Sequence, residues 1–204
     1  MKRNPVILAF DASAQHCSVA VVQGETMLAH RHETMAKGQA ERLMGLITDT
    51  LEEAELTLEN VDVIGVGIGP GNFTGIRIAV SAARGLALGL GCPAVGISGF
   101  DALHYGQEGP CSCVIDARRN EVYLKTYGPG EEQSTPRLMP AEDISFGAGL
   151  VIGQGGEKPK FTQAEAIARL AAERVQTERR KPAPLYIRPA DAAPARDIAP
   201  QILP

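Results

Sequence analysis

The chain has 204 residues, 44% hydrophobic and 22% charged, with a net charge of −4, 4% aromatics and no tryptophan. That length holds one core or two small lobes, and the balance excludes a disordered or collagen-like chain. So few aromatics and an acidic balance also argue against a module that grips RNA by stacking and phosphate tracking.

The charge is uneven, with 11 Lys/Arg against 18 Asp/Glu in residues 1–156 and 9 against 6 in residues 157–204. A weakly basic end of this kind does not by itself make a nucleic-acid site. The opening MKRNPVILAFDAS has its apolar run cut short by Asp11, which argues against a signal peptide, and no stretch approaches the apolar length of a bilayer span, so no membrane is expected. Cys17, Cys92, Cys111 and Cys113 include one C-x-C pair and no C-x-x-C, and no histidine stands near that pair in the sequence. They read as small core residues in a reduced, cytoplasmic setting, with no metal site expected.

In chain order, Val6 to Phe10 is an apolar strand ending at Asp11, followed by a polar turn and a second strand, Ser18 to Val22. A third, Met27 to Glu33, completes a meander with Asp11 and Ser13 at its first corner. From Gln39 to Glu55 the residues Ala40, Leu43, Ile47, Leu51 and Ala54 recur at helical spacing, with Leu46 widening the stripe. Val61 to Ile68 reads as a buried strand, and Pro70-Gly71 as a tight turn. A helix from Thr74 to Leu90 follows, with Asn72 or Thr74 as its cap.

That helix carries two rows of small residues at a spacing of four, Ala79/Ala83/Ala87 and Ser81/Gly85/Gly89. Glycine inside a helix costs about 1 kcal/mol relative to alanine, so Gly85 and Gly89 call for a reason. The alanine row reads as packing on the protein's own sheet; the Ser81 row suits either that core or the close approach of a partner helix. The turn before the helix fails both nucleotide fingerprints: Gly75 is followed by Ile76 where Walker A needs lysine, and Gly69-Pro70-Gly71 lacks the third glycine of G-x-G-x-x-G.

After it come a strand (Ala94 to Ile97), a short helix (Phe100 to Tyr105) and a strand, Cys113 to Ile115, that again ends on an aspartate, Asp116. The polar turn Ala117-Arg118-Arg119-Asn120 leads to an alternating strand, Glu121 to Tyr127. A late strand (149–153) runs into Gly155-Gly156, Gln163 to Arg174 forms a last helix, and the proline- and alanine-rich tail from Lys181 is expected to be extended or partly disordered. Strand, aspartate, turn and strand have occurred twice, which points to duplicated α/β lobes over residues 1–98 and 99–180, with the tail at 181–204.

Two meanders with an aspartate at the first corner resemble the actin-like ATPase (ASKHA, ribonuclease H-like) superfamily, in which such corners grip nucleotide phosphates and metal. More closely, ILAFDASAQHCSVAVV, GIGPGNFTGIRIAVSAARGLALG, VIDARRNEVYLKTY and LYIRPADA resemble, in order, segments of the bacterial TsaB (YeaZ) family, up to about residue 192. The resemblance implies a non-catalytic subunit of the machinery that makes threonylcarbamoyladenosine beside the tRNA anticodon. Its expected partners are TsaD as a heterodimer, TsaE, and TsaC functionally, with tRNA met through the complex and a homodimer when alone.

No catalytic residue is expected, since the H-x-x-x-H pair that binds metal in TsaD is missing among His16, His30, His32 and His104. His30 and His32 share a strand face and read as solvated. The partner face would lie on the two long helices, at Gln39, Arg42, Leu43, Met44, Leu46, Ile47, Arg77, Ser81, Gly85 and Gly89. A vestigial cofactor site would hold Asp11, Ser13, Gly71, Asp116 and Arg118, the aspartates capping their own turns. No cofactor of its own is expected, with ATP and magnesium only within the complex. The rival is a small actin-like phosphotransferase, with Gly153, Gly155 and Gly156 on the adenosine side, and a metallopeptidase ranks below it.

Overall fold

Val6–Asp11 (β1) is apolar at every position up to its final aspartate because it runs through the middle of a sheet covered on both faces. The computed structural model describes residues 4–128, 134–144, 149–178 and 180–188. β1 pairs antiparallel with His16–Gln23 (β2), which pairs antiparallel with Thr26–Thr34 (β3). On its other side β1 runs parallel to Val63–Gly67 (β4), and β4 to Ala94–Ile97 (β5), giving the order β3-β2-β1-β4-β5.

Alternation along β1 divides the core. Val6, Leu8 and Phe10 pack under the helices Gln39–Glu53 (α1) and Phe73–Leu90 (α2), whereas Ile7 and Ala9 face Gln163–Arg174 (α4). Gly65 lets α4 lie close: a Cβ there would stand 3.1 Å from both Ala171 Cβ and Ile167 Cγ2. The expected unit 99–180 is corrected in this respect. α4 belongs to the first sheet, because its face of alanines and Ile167 is the apolar cover that sheet lacks on its second side.

The second sheet has the order β8-β7-β6-β9, made of Cys111–Arg118 (β6), Glu121–Tyr127 (β7), Arg137–Pro140 (β8) and Leu150–Gly153 (β9). Gly99–His104 (α3), capped by Ser98, covers one of its faces through Phe100. The duplicated plan therefore holds: each sheet is an antiparallel meander with a parallel strand added beside its first member.

α2 starts where the Asn72 side chain accepts from Thr74 N and Gly75 N, and stops at Gly91, whose φ of 64° ends the helix. At 18 residues and mean hydropathy 1.3 it does reach the length and apolarity of a membrane span, contrary to the sequence expectation. Ile76, Ala79, Val80 and Ala83 are nonetheless buried against the sheet, while the charged Arg77 and Arg84 are exposed. Of the tail, 181–188 lacks regular structure but is held in place: Leu185 N donates to Ile68 O at 2.8 Å, Tyr186 stacks on Phe73, and Arg188 donates to Ala117 O and to Glu121. Residues 189–204 lie outside the described residues.

Candidate functional site

The first corner is built around a carboxylate turned inward. Asp11 is fully buried, and its Oδ2 accepts from Ser13 N (3.0 Å), Ser13 Oγ (2.9 Å) and His16 Nε2 (2.9 Å). Oδ1 has no partner among the described residues and rests on Gly67, where an added Cβ would come within 1.9 Å of it. The turn after β4 presses onto this corner: Asn72 N donates to Ser13 O at 2.6 Å, and a Cβ on Gly71 or Gly75 would sit 2.1 Å from Ser13 O or 1.9 Å from Ala12 O. Close backbone approach, rather than a phosphate cradle, accounts for these glycines.

The second corner is open. Asp116 is exposed and its Oδ1 accepts from Arg118 N at 2.9 Å, the same two-residue cap that Asp11 gives Ser13. Arg118, Arg119 and Asn120 all adopt positive φ, 60°, 54° and 58°, so this hairpin stores backbone strain at non-glycine positions. Between the corners lies a cleft of about 860 Å³, lined by Ser13, Gly71, Asp116, Arg118, Gly153 and Gln154 among others. It thus brings together four of the five residues expected at a vestigial cofactor site, with Asp11 behind the wall. Gly155 and Gly156 are not among its lining residues.

His16 and His32, distant in sequence, meet at the cleft with ring centroids 4.9 Å apart. His32 is exposed, as a solvated strand residue would be, whereas His30 is half-buried; desolvation, and then the neighbouring His16, lower the His32 pKa, and burial lowers that of His30 as well. Register explains the missed pairing, since Ser18 sits opposite His32 in the β2–β3 ladder and draws the start of β2 to the same edge.

The expected helical face divides sharply. Leu43, Leu46 and Ile47 are 2% exposed or less and Gln39 is buried, so these four form the first lobe's interior and present nothing to a partner. The stripe that makes α1 a helix is the stripe it buries. Arg42 is spanned by Glu33 and Asp49. What remains outside is Met44 on α1 and, on α2, Arg77, Ser81, Gly85, Leu88 and Gly89. Leu88 is 86% exposed, and a Cβ added at Gly85 or Gly89 meets nothing within 4 Å. The Ser81 row is therefore an outer surface, and Ala79 and Ala83 are the inner one.

A second correction concerns the cysteines. The fold carries His104, at the end of α3, over β6, so that its Nδ1 lies 3.2 Å from Cys111 Sγ, which is 4.0 Å from Cys113 Sγ. Sequence separation hid a histidine that the packing of α3 supplies.

The TsaD family, tRNA N6-adenosine threonylcarbamoyltransferase, matches residues 28–144, more than half of the chain. The chain belongs to the TsaD family. Within it the resemblance is TsaB-like: TsaB of Escherichia coli is 35% identical over 126 residues, covering 59% of this chain and 54% of that protein, and TsaB of Haemophilus influenzae is 36% identical over 60% and 53%. An uncharacterized protein of Mycobacterium tuberculosis is 30% identical over 198 residues, 92% of this chain and 94% of its own length. The solved structure of YeaZ from Pseudomonas aeruginosa superposes with a TM-score of 0.71 at 27% identity, over 89% of this chain and 99% of that one. The TsaB-like chain accordingly has the two-sheet actin-like (ASKHA) fold that its meanders implied.

Proposed function

We propose that this TsaB-like chain is a non-catalytic subunit in the formation of threonylcarbamoyladenosine on tRNA, pairing with a TsaD-type protein and activating it. One observation carries the reading. The outer face of α2 joins Ser81, Gly85, Leu88 and Gly89 into an apolar, small-residue surface with open space above it, flanked by Arg77 and Arg84. Exposed glycines weaken a helix by about 1 kcal/mol each relative to alanine, and an exposed leucine beside them gains nothing in water. Both make sense where a second helix comes close, with binding energy concentrated in a few central side chains. A second copy of the chain would use the same face when TsaD is absent, and TsaE, TsaC and tRNA would join through the complex. The four free cysteines suit a reduced, cytoplasmic compartment.

Gly85→Leu tests this directly, because its side chain projects into open space and leaves the fold alone. Size-exclusion chromatography with the organism's own TsaD should show the complex lost while the isolated variant keeps its circular dichroism. An unchanged complex would refute the reading. The cleft of about 860 Å³ favours one further reading, in which ATP and magnesium bind between the corners and the chain transfers phosphate. Titration calorimetry on the isolated chain separates the two: tight ATP binding with hydrolysis favours the second, and none favours the first.

A further inference from the structure

The C-x-C pair lies on one face of β6, because residues two apart on a strand point the same way. Cys111 and Cys113 are 2% and 0% exposed, in the apolar cluster beneath α3 with Phe100 and Ile152. The donor atoms of His104, Cys111 and Cys113 all lie within 4.8 Å of one another. Tetrahedral zinc, with Zn–S about 2.3 Å and Zn–N about 2.0 Å, places such ligand atoms roughly 3.5–3.8 Å apart. The observed 3.2 Å and 4.0 Å bracket that spacing, and with the third pair within 4.8 Å an ion draws the three donors together by a small turn of the His104 and Cys113 side chains.

We propose that His104 Nδ1 and the sulfurs of Cys111 and Cys113 bind one Zn²⁺ ion per chain, a site separate from the cleft and from the α2 face. The imidazole is held for the purpose. Its ring stacks on Tyr127 at 3.9 Å with an interplanar angle of 11°, and the Tyr127 hydroxyl donates to Asp101 at 2.6 Å. Fixing a ligand ring through outer neighbours is what metal sites require. Charge points to a divalent ion: two thiolates and a neutral imidazole cancel Zn²⁺ exactly once each thiol has given its proton to solvent, which suits apolar surroundings. The fourth position falls to water, reached from the side of the partly exposed His104.

The test uses the full chain, kept reduced and stripped with chelator, titrated with Zn²⁺ and then with Co²⁺. One equivalent should bind, with thiolate-to-cobalt charge-transfer absorption and release of about two protons into weak buffer. Cys113→Ser should abolish binding, and His104→Gln should weaken it by roughly 100-fold. Should Cys113→Ser fail to fold, His104→Gln decides alone, since it keeps both thiols and its fold is checked by circular dichroism. Absence of stoichiometric binding, or binding indifferent to both substitutions, would overturn the proposal.

Discussion

Asp11 and Asp116 hold matching places in the two meanders, each capping the backbone N–H two residues ahead. The first is sealed under the glycine turn that follows β4, with its carboxylate engaged by Ser13 and His16. The second stands exposed beside a hairpin tip whose arginines occupy left-handed conformations. Burial, and not the motif, thus separates a structural acid from a surface one. A repeated sequence signature marks matching places in the two meanders, while what later elements lay over each decides whether its acid is buried or exposed.

The difference can be broken most severely at the seal. Gly75→Ala puts a methyl group 1.9 Å from a main-chain carbonyl that cannot swing away, and should cost about 4 kcal/mol or prevent folding, read by urea denaturation. Asp11→Ala should cost about 3 kcal/mol in the same assay, since it empties a buried position and strands the Ser13 donors. Asp116→Ala, the matched control, should change stability by about 0.5 kcal/mol at most. Equal losses at the two aspartates would erase the distinction. The smallest effect is a pH dependence to which His32 at the first corner contributes beside His30 and His104. Because His32 is held below its ordinary 6.5, the unfolded chain takes a proton that the folded chain resists. Stability is therefore full above 6.5 and declines as pH falls toward the lowered folded value. Thermal melts should follow that slope, and His32→Gln should make it shallower, leaving the part that His30 and His104 contribute.

Much of the fold was legible because hydrophobic period and local punctuation agreed. β5, β7 and α4 fall where apolar spacing and flanking turn residues placed them. β8 was not foreseen: Arg137–Pro140 is an edge strand of four residues with a proline, too short to show alternation. The proposed partner face was half legible. Gly85 and Gly89 announced themselves as glycines inside a helix, but Leu43, Leu46 and Ile47 carried the same periodic signal whether they faced outward or in, and the sheet claimed them. The meeting of His104 with Cys111, and of His16 with His32, was illegible since each depends on how two elements pack. Nothing local in Gln163–Arg174 told which sheet it would cover.

The stretch 180–188 runs from the first lobe to the second, bonded to Ile68 through Leu185 and to Ala117 and Glu121 through Arg188. Proteins that swallow a ligand by hinge closure need jaws free to swing. Here a stitch ties both lobes, so widening the gap means peeling Leu185 and Arg188 off their anchors first.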